Sequence, residues 1–150
     1  MELSKKEILK LQQNRDPYLL IDHVSDFEPG KFAKGYKDLN NEWFFKVHWP
    51  SDPNMPGMLQ VEALVQMSSM ALVTIEGNEG KILYLINAND LQFKKKIIPG
   101  DRLLLNTKIL SFKRGIANCY GEGLVDNKLA CSASFTLIFP DYLKQFNKDN

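Results

Sequence analysis

The strongest feature in the pattern of apolar and polar positions is a long stretch, Gly57 to Ile75, in which polar residues are rare. From Met58 onward its apolar residues leave hardly any polar face, and a helix that is apolar nearly all round has to be enclosed by other structure. Gln60, Glu62 and Gln66 interrupt the stretch, and a helix facing lipid resists a buried glutamate. We therefore expect a buried helix and no membrane span.

Shorter signals precede this helix. Ser4-Lys5-Lys6-Glu7 has the form of a capping box, in which Ser4 and Glu7 satisfy free backbone donors, and it predicts a short helix through about Gln13. The aromatic segment from Trp43 to Trp49 shows no regular period and predicts irregular backbone. Tyr18–Val24 predicts a strand, and the alternating segment Lys31–Leu39 predicts its hairpin partner.

The second half of the chain is rich in strand signals. Five strands are predicted, at Lys81–Asn87, Leu91–Lys95, Arg102–Phe112, Ile116–Val125 and Leu129–Phe139. Short turn-prone links join the last three, which makes them antiparallel neighbours. The pattern indicates the α+β class, with an antiparallel sheet wrapped around one long central apolar helix. We expect a single domain over residues 1–150, with a ragged polar tail from about residue 141.

Composition narrows the functional classes. The balance of 19 Lys+Arg against 18 Asp+Glu gives a formal net charge of +1, which argues against a nucleic-acid-binding protein because phosphate contacts need a basic excess. Two cysteines, Cys119 and Cys131, are too few for a disulfide scaffold and favour free thiols, although they could meet across a hairpin. The charged N-terminal residues lack the apolar region of a signal peptide. We expect a cytoplasmic protein.

Candidate catalytic groups lie on either side of the start of the apolar helix. His48 precedes a proline-rich loop, and loops on a rigid scaffold are where catalytic groups concentrate. Glu62 lies in the second turn of the helix, where loss of water raises the pKa of a carboxyl. Gln66 follows one turn later on the same face and can orient that carboxyl. A glutamate that reaches solvent at the mouth of the helix is the alternative interpretation.

The helix begins at Pro56-Gly57. Free backbone N–H groups at a helix start favour developing negative charge, and Gly57 lets a carbonyl group approach closely. Together with a histidine base and a neutral carboxylic acid, such a donor suits proton abstraction next to a thioester carbonyl, with loss of a hydroxyl one carbon further on.

A known family shares this arrangement. The run His48-Trp49-Pro50-Ser51-Asp52-Pro53-Asn54-Met55-Pro56-Gly57, followed by Glu62-Ala63 and Gln66, closely resembles the signature of the 3-hydroxyacyl-[acyl carrier protein] dehydratases. Shorter matches extend the resemblance over about residues 10–139. Val47 and Trp49 stand where that family usually has Gly and Phe, which puts the substrate length in question more than the type of reaction.

The resemblance implies a hot-dog fold and a lyase of fatty-acid or related acyl-chain synthesis. His48 would take the C2 proton, Glu62 of a partner subunit would protonate the departing C3 hydroxyl, and the Gly57 N–H would polarise the thioester carbonyl. It also implies a homodimer or a trimer of dimers with active sites shared between subunits. It implies no metal or redox cofactor, and it implies that the acyl group arrives on the phosphopantetheine of acyl carrier protein.

Two further groups of residues are candidates for substrate contact. Apolar side chains that can line the acyl tunnel, or simply belong to the core, are Trp49, Met55 and Phe93. Cations that can receive an acidic carrier protein are Lys94, Lys96 and Arg102. Lysines that guard a solvated edge strand are the ordinary alternative for this second group.

Two other functions fit the same fold. An acyl thioesterase would need an activated water or nucleophile, whereas the loop from His48 through Gly57 favours elimination. A non-catalytic acyl-binding module would have no reason to hold both His48 and Glu62, and such modules usually carry a further domain that this chain has no room for.

Overall fold

The computed structural model describes residues 1–142, so the predicted tail beyond Tyr142 lies outside the described residues. The elements, in chain order, are α1 (Lys5–Leu11), β1 (His23–Glu28), β2 (Phe32–Asp38), α2 (Trp43–Val47), α3 (Gly57–Val73), β3 (Tyr84–Phe93), β4 (Arg102–Lys113), β5 (Ile116–Val125) and β6 (Lys128–Ile138). The strands form one sheet in the order β1-β2-β4-β5-β6-β3, and every neighbouring pair is antiparallel.

Helix α3 is the centre of the core. Twelve of its 17 residues are buried, and it contacts all six strands, so the sheet curves around it. Strand β5 alternates buried and more exposed positions along most of its length, as expected of a sheet with one face on the core and one toward water. The predicted α+β hot-dog fold is confirmed. Within residues 1–142, no helix combines the length and hydropathy that crossing a membrane requires.

The predicted capping box of α1 is present. The Ser4 hydroxyl accepts a hydrogen bond from the Glu7 N–H at 3.3 Å, and the Glu7 carboxylate accepts one from the Ser4 N–H at 2.7 Å. Both donors would otherwise be unpaired at the helix start. Helix α1 ends at Leu11, close to the predicted end.

The prediction of a strand over Tyr18–Val24 is wrong for most of that range. Strand β1 begins only at His23, although Leu19, Leu20 and Ile21 are fully buried, which is why the segment is apolar. The Gln66 side chain pairs with the backbone of residues 18–20 instead of a neighbouring strand: it accepts from the Leu20 N–H at 2.7 Å and donates to the Tyr18 carbonyl at 2.9 Å.

The aromatic segment predicted to be irregular contains the short helix α2 instead. Five residues span little more than one turn, too few for a helical period to appear in the sequence. The adjacent Phe44 and Phe45 are both buried, and their packing holds the turn in place. Helix α2 ends at Val47, so the residue that caps it is His48.

Two predicted strands, Lys81–Asn87 and Leu91–Lys95, are one continuous strand, β3. The pairing of β3 with β6 shifts register twice, once between Leu85 and Asn87 and again between Asn89 and Gln92. These β-bulges accommodate the residues between the two predicted strands, and the strand continues beyond them. Strand β3 ends at Phe93, so the three lysines that follow it are outside the strand.

The sheet lies close to α3 at Gly35 in β2. A Cβ atom there would lie 1.9 Å from the His23 carbonyl oxygen and 2.8 Å from the Met67 methyl group. The helix therefore packs against a strand position that has no room for a side chain.

We expect Gly35→Ala to lower the free energy of unfolding by about 1–3 kcal/mol, because the backbone carbonyl cannot move aside. Urea unfolding followed by circular dichroism measures the change. Lys34→Ala, at an exposed position of the same strand, is the matched control, with an expected change within about 0.5 kcal/mol. Equal stability of both variants would contradict this account of the helix–sheet contact.

Candidate active site

The N-terminus of α3 opens onto a cavity of about 450 Å³ lined by Asn54, Met55, Gly57, Gln60, Phe93 and Lys94–Lys96. Within the described residues, the Gly57 N–H donates no hydrogen bond. The Phe93 ring lies against Gly57, where an added Cβ would be 3.0 Å from ring carbons. A side chain at this position would be tight against the ring, and the helix start carries a free donor beside open space.

Glu62 sits on the partly accessible face of α3 among apolar residues. Burial raises the pKa of its carboxyl above the ordinary value, while the hydrogen bond from Gln66 lowers it by a smaller amount. Burial also raises the pKa of the nearby Tyr18 phenol, and the charge of Glu62 raises it further. The carboxyl therefore holds its proton to a higher pH than an exposed glutamate does.

Gln66 fixes the position of this carboxyl. Its Nε2 donates to Glu62 Oε1 at 3.0 Å and to the Tyr18 carbonyl at 2.9 Å, and its Oε1 accepts from the Leu20 N–H. Three hydrogen bonds hold one amide, so Gln66 has little freedom to rotate. The sequence indicated the contact with Glu62 from the helical spacing, but it gave no sign of the contacts with residues 18–20.

The end of α2 positions His48. The His48 N–H donates to the Phe44 carbonyl at 2.9 Å, and the ring nitrogen Nδ1 lies 3.1 Å from the Asn54 carbonyl oxygen. A carbonyl oxygen only accepts, so in the neutral ring this contact places the proton on Nδ1 and leaves Nε2 as the unprotonated nitrogen. The next residue, Trp49, has a φ of 60°, which turns the chain sharply into the following loop.

His48 and Glu62 have different hydrogen-bond partners within one chain. In the described residues no hydrogen bond or ion pair joins them, since the ring of His48 pairs with Asn54 and the carboxyl of Glu62 with Gln66. The other histidine, His23, lies at the start of β1, with Nε2 at 3.3 Å from a Glu2 carboxylate oxygen.

The three tunnel candidates differ in position. Met55 is buried, and together with Phe93 it lines the cavity beside Gly57. Trp49 is 64% exposed and, in the part of the chain that the structure describes, is not among the residues that line this cavity.

The three candidate cations for carrier binding differ in charge pairing. Lys96 contacts both carboxylate oxygens of Asp52 at 2.8 and 2.9 Å. Arg102 pairs with Asp38 and stacks on the Tyr36 ring at 3.9 Å. Lys94 makes no ion pair within residues 1–142 and lines the cavity, so its charge is the most available of the three.

Both cysteines are free and buried, as the low cysteine count favoured. Burial raises the pKa of the Cys119 thiol to about 12 and that of Cys131 to about 11. A thiol is nucleophilic only as the thiolate, so neither is suited to attack a substrate. No cluster of three or more potential metal ligands occurs in the described part of the chain.

The raised pKa of Glu62 predicts a pH-dependent cost to stability. The folded state binds this proton more tightly than the unfolded chain, whose glutamates titrate near about 4.3, so the protein loses stability as pH rises from there through the folded pKa. Glu62→Gln removes this loss and keeps an acceptor for Gln66. We expect the variant to match the wild type below about pH 4 and to become more stable by a growing margin as pH rises.

Urea unfolding at a series of pH values measures this margin. Glu76→Gln, at an exposed carboxyl just beyond the same helix, controls for the loss of one negative charge. A margin for Glu62→Gln that does not change with pH would show that burial of the carboxyl has no such effect.

Comparison with known proteins identifies the family. Residues 13–134 match the model of the FabA-like domain. The chain is 42% identical over 133 residues to the 3-hydroxyacyl-[acyl-carrier-protein] dehydratase FabZ of Clostridium novyi (strain NT), covering 84% of this chain and 94% of that one. It is 39% identical over 144 residues to the dehydratase FabZ of Alkaliphilus metalliredigens (strain QYMF), covering 94% and 98%.

A solved structure shows the same fold. A chain of the dehydratase heterocomplex ApeI:P from Xenorhabdus doucetiae superposes with a TM-score of 0.77 at 11% identity, covering 95% of this chain and 97% of that chain. At that identity the likeness concerns the fold alone, whereas the sequence matches extend over nearly the whole chain. The protein therefore belongs to the FabA-like family of 3-hydroxyacyl-[acyl-carrier-protein] dehydratases, which are lyases.

Proposed function

We propose that the protein removes water from a 3-hydroxyacyl thioester carried on acyl carrier protein and forms the trans-2-enoyl thioester, the dehydration step of fatty-acid synthesis. The observation that carries the proposal is the partly buried carboxyl of Glu62, which Gln66 holds at 3.0 Å and whose pKa is raised by burial. Membership of the dehydratase family supports the same reaction.

The first part of the reaction is loss of a proton from C2. His48 Nε2 takes this proton, since Nδ1 is occupied with the Asn54 carbonyl. Negative charge then develops on the thioester carbonyl oxygen, and the Gly57 N–H donates a hydrogen bond to it. The cavity beside Gly57 gives the acyl group access to this donor.

The second part is departure of the C3 hydroxyl. The Glu62 carboxyl donates its proton to this oxygen, so the leaving group is water, and the electron pair of the broken C2–H bond forms the C2=C3 double bond. The proton on His48 then replaces the one that Glu62 lost. Every step moves only protons and electron pairs within the substrate, so the reaction needs no metal ion or redox cofactor.

The active site is formed by two subunits in this proposal. His48 and Glu62 pair with different partners within one chain. Strand β3 is at the edge of the sheet, and its first residues, Tyr84, Leu85 and Ile86, are 55%, 41% and 55% exposed. An apolar edge strand readily pairs with another chain. A second copy bound at this edge gives a homodimer, alone or within a trimer of dimers, in which His48 of one subunit works with Glu62 of the other.

The carrier protein approaches at the rim of the cavity beside Gly57. Lys94 is unpaired within the described residues and attracts an acidic carrier, whereas Asp52 and Asp38 already neutralise Lys96 and Arg102. The phosphopantetheine arm then brings the acyl group past Phe93 to the Gly57 N–H. The proposal includes a cytoplasmic location for this reaction.

We expect His48→Ala and Glu62→Gln each to slow hydration of a short trans-2-enoyl thioester, the reverse reaction, by about 10²- to 10⁴-fold, because each removes a proton-transfer group. Loss of the conjugated enoyl thioester absorbance measures the rate. His23→Ala is the control and should retain wild-type activity, because His23 contacts Glu2 at the surface.

The outcomes of this assay separate the possible functions. Wild-type rates in both variants would overturn the proposal. Release of free thiol from an acyl thioester would indicate a thioesterase, and tight acyl-thioester binding without turnover would indicate a non-catalytic module.

Mixed dimers test whether two subunits share the site. A dimer of one His48→Ala chain and one Glu62→Gln chain, purified through two different tags, keeps one intact site and should have about half of the wild-type activity. A dimer of a wild-type chain with a chain carrying both substitutions has both sites broken and should be inactive. If each chain formed its own site, the activities of these two mixed dimers would be reversed.

A further inference from the structure

Gln60 is a second buried amide in α3, and the reaction described above does not use it. Gln60 is only 4% exposed, and its Nε2 donates to the Met55 carbonyl at 2.9 Å. Its Oε1 is buried and accepts no hydrogen bond from the described residues. Gln60 also lines the cavity onto which Gly57 opens.

Through two donors, Gln60 holds the backbone on both sides of Pro56. Its backbone N–H donates to the Pro56 carbonyl at 3.0 Å, and its side chain donates to the Met55 carbonyl. The Pro56 ring fixes φ, here −54°. The Pro56 carbonyl lies in the same rigid peptide plane as the Gly57 N–H, so fixing the two planes also fixes the direction of that N–H.

A second contact completes this arrangement. The Met55 N–H donates to the Ile97 carbonyl at 2.8 Å, so the loop is tied to the chain beyond β3 on one side and to α3 on the other. Of these contacts, the one from the Gln60 side chain is the only one that a substitution can remove while leaving the backbone groups in place.

Stability alone gives no reason for an amide at this position. With glutamine, the Met55 carbonyl is paired and Oε1 is not. With an apolar side chain of the same length, Oε1 would be gone but the Met55 carbonyl would lose its partner. Each case leaves one buried acceptor without a hydrogen bond, so the two cost the fold about the same. With glutamine the unpaired acceptor is its own Oε1 and not the Met55 carbonyl. The loop carbonyl therefore stays fixed.

We propose that Gln60 is a positioning residue for the Gly57 N–H and keeps this donor aimed at the thioester carbonyl oxygen. The inference rests on the proposed function, in which the Gly57 N–H stabilises charge on that oxygen. A donor held in place acts more strongly on the charged transition state than on the bound substrate, so Gln60 affects kcat more than KM.

Gln60→Met tests this role, since methionine has a similar length and no hydrogen-bonding amide. We expect kcat for enoyl thioester hydration to fall about 10- to 100-fold, as displaced catalytic geometry does elsewhere, with KM nearly unchanged. The midpoint of thermal unfolding should stay within about 3 °C of the wild type.

A spectroscopic measurement reports on the donor itself. A butyryl thioester of pantetheine, labelled with ¹³C at the carbonyl, has no C3 hydroxyl or double bond and is not turned over. Bound to the wild type, its carbonyl stretch should shift to lower frequency because the Gly57 N–H polarises it. In Gln60→Met the shift should be reduced or lost.

Ser68→Ala is the matched control, because Ser68 is also a fully buried polar residue of α3 without a hydrogen-bond partner for its hydroxyl among the described residues. It should leave both kcat and the carbonyl frequency unchanged. A Gln60→Met protein with wild-type kcat per folded molecule and wild-type frequency would overturn the inference and leave the proposed function standing. A wild type that neither turns over the enoyl thioester nor shifts the carbonyl frequency would overturn the proposed function itself.

Discussion

The structure depends on covering one helix that is apolar on nearly every side. Helix α3 cannot be exposed to water without a large loss of hydrophobic stabilisation, so the sheet has to curve around it. Close contact at Gly35, where no side chain fits, shows how tightly the sheet and helix pack. The cover is incomplete along the face that carries Glu62, which is only partly buried.

The same packing explains why the candidate site is rigid. A buried helix does not shift, so groups attached to it keep fixed positions. Gln66 and Gln60, six residues apart on α3, each use a side-chain amide to hold a piece of backbone that has no regular secondary structure. One holds the segment beside Glu62 and the other the loop before Gly57. Through these amides, helix α3 holds in place the two adjacent segments that have no regular secondary structure.

Much of the fold was predictable from the sequence because burial leaves a pattern. Helix α3 stands out as a long apolar stretch, strands β4 to β6 are long enough for their apolar period to appear, and the capping box marks α1. Burial does not by itself distinguish a strand from an irregular segment, so Tyr18 to Ile21 was predicted as a strand although its backbone pairs with a distant side chain. Helix α2 is too short to show a period. In the site, helical spacing linked Glu62 to Gln66, but nothing local linked Gln60 to Met55, because that contact depends on how the preceding loop folds back.

The order of the strands has a consequence for how the chain folds during synthesis. Within residues 1–142 strand β3 pairs with β6 alone, so it has no partner in its own chain until residues 128–138 have been made. Until then α3 also lacks the cover that β6 provides. Contacts between segments far apart in sequence form slowly and leave apolar surface exposed meanwhile. A nascent chain that stops before β6 is therefore prone to aggregate or to bind chaperones.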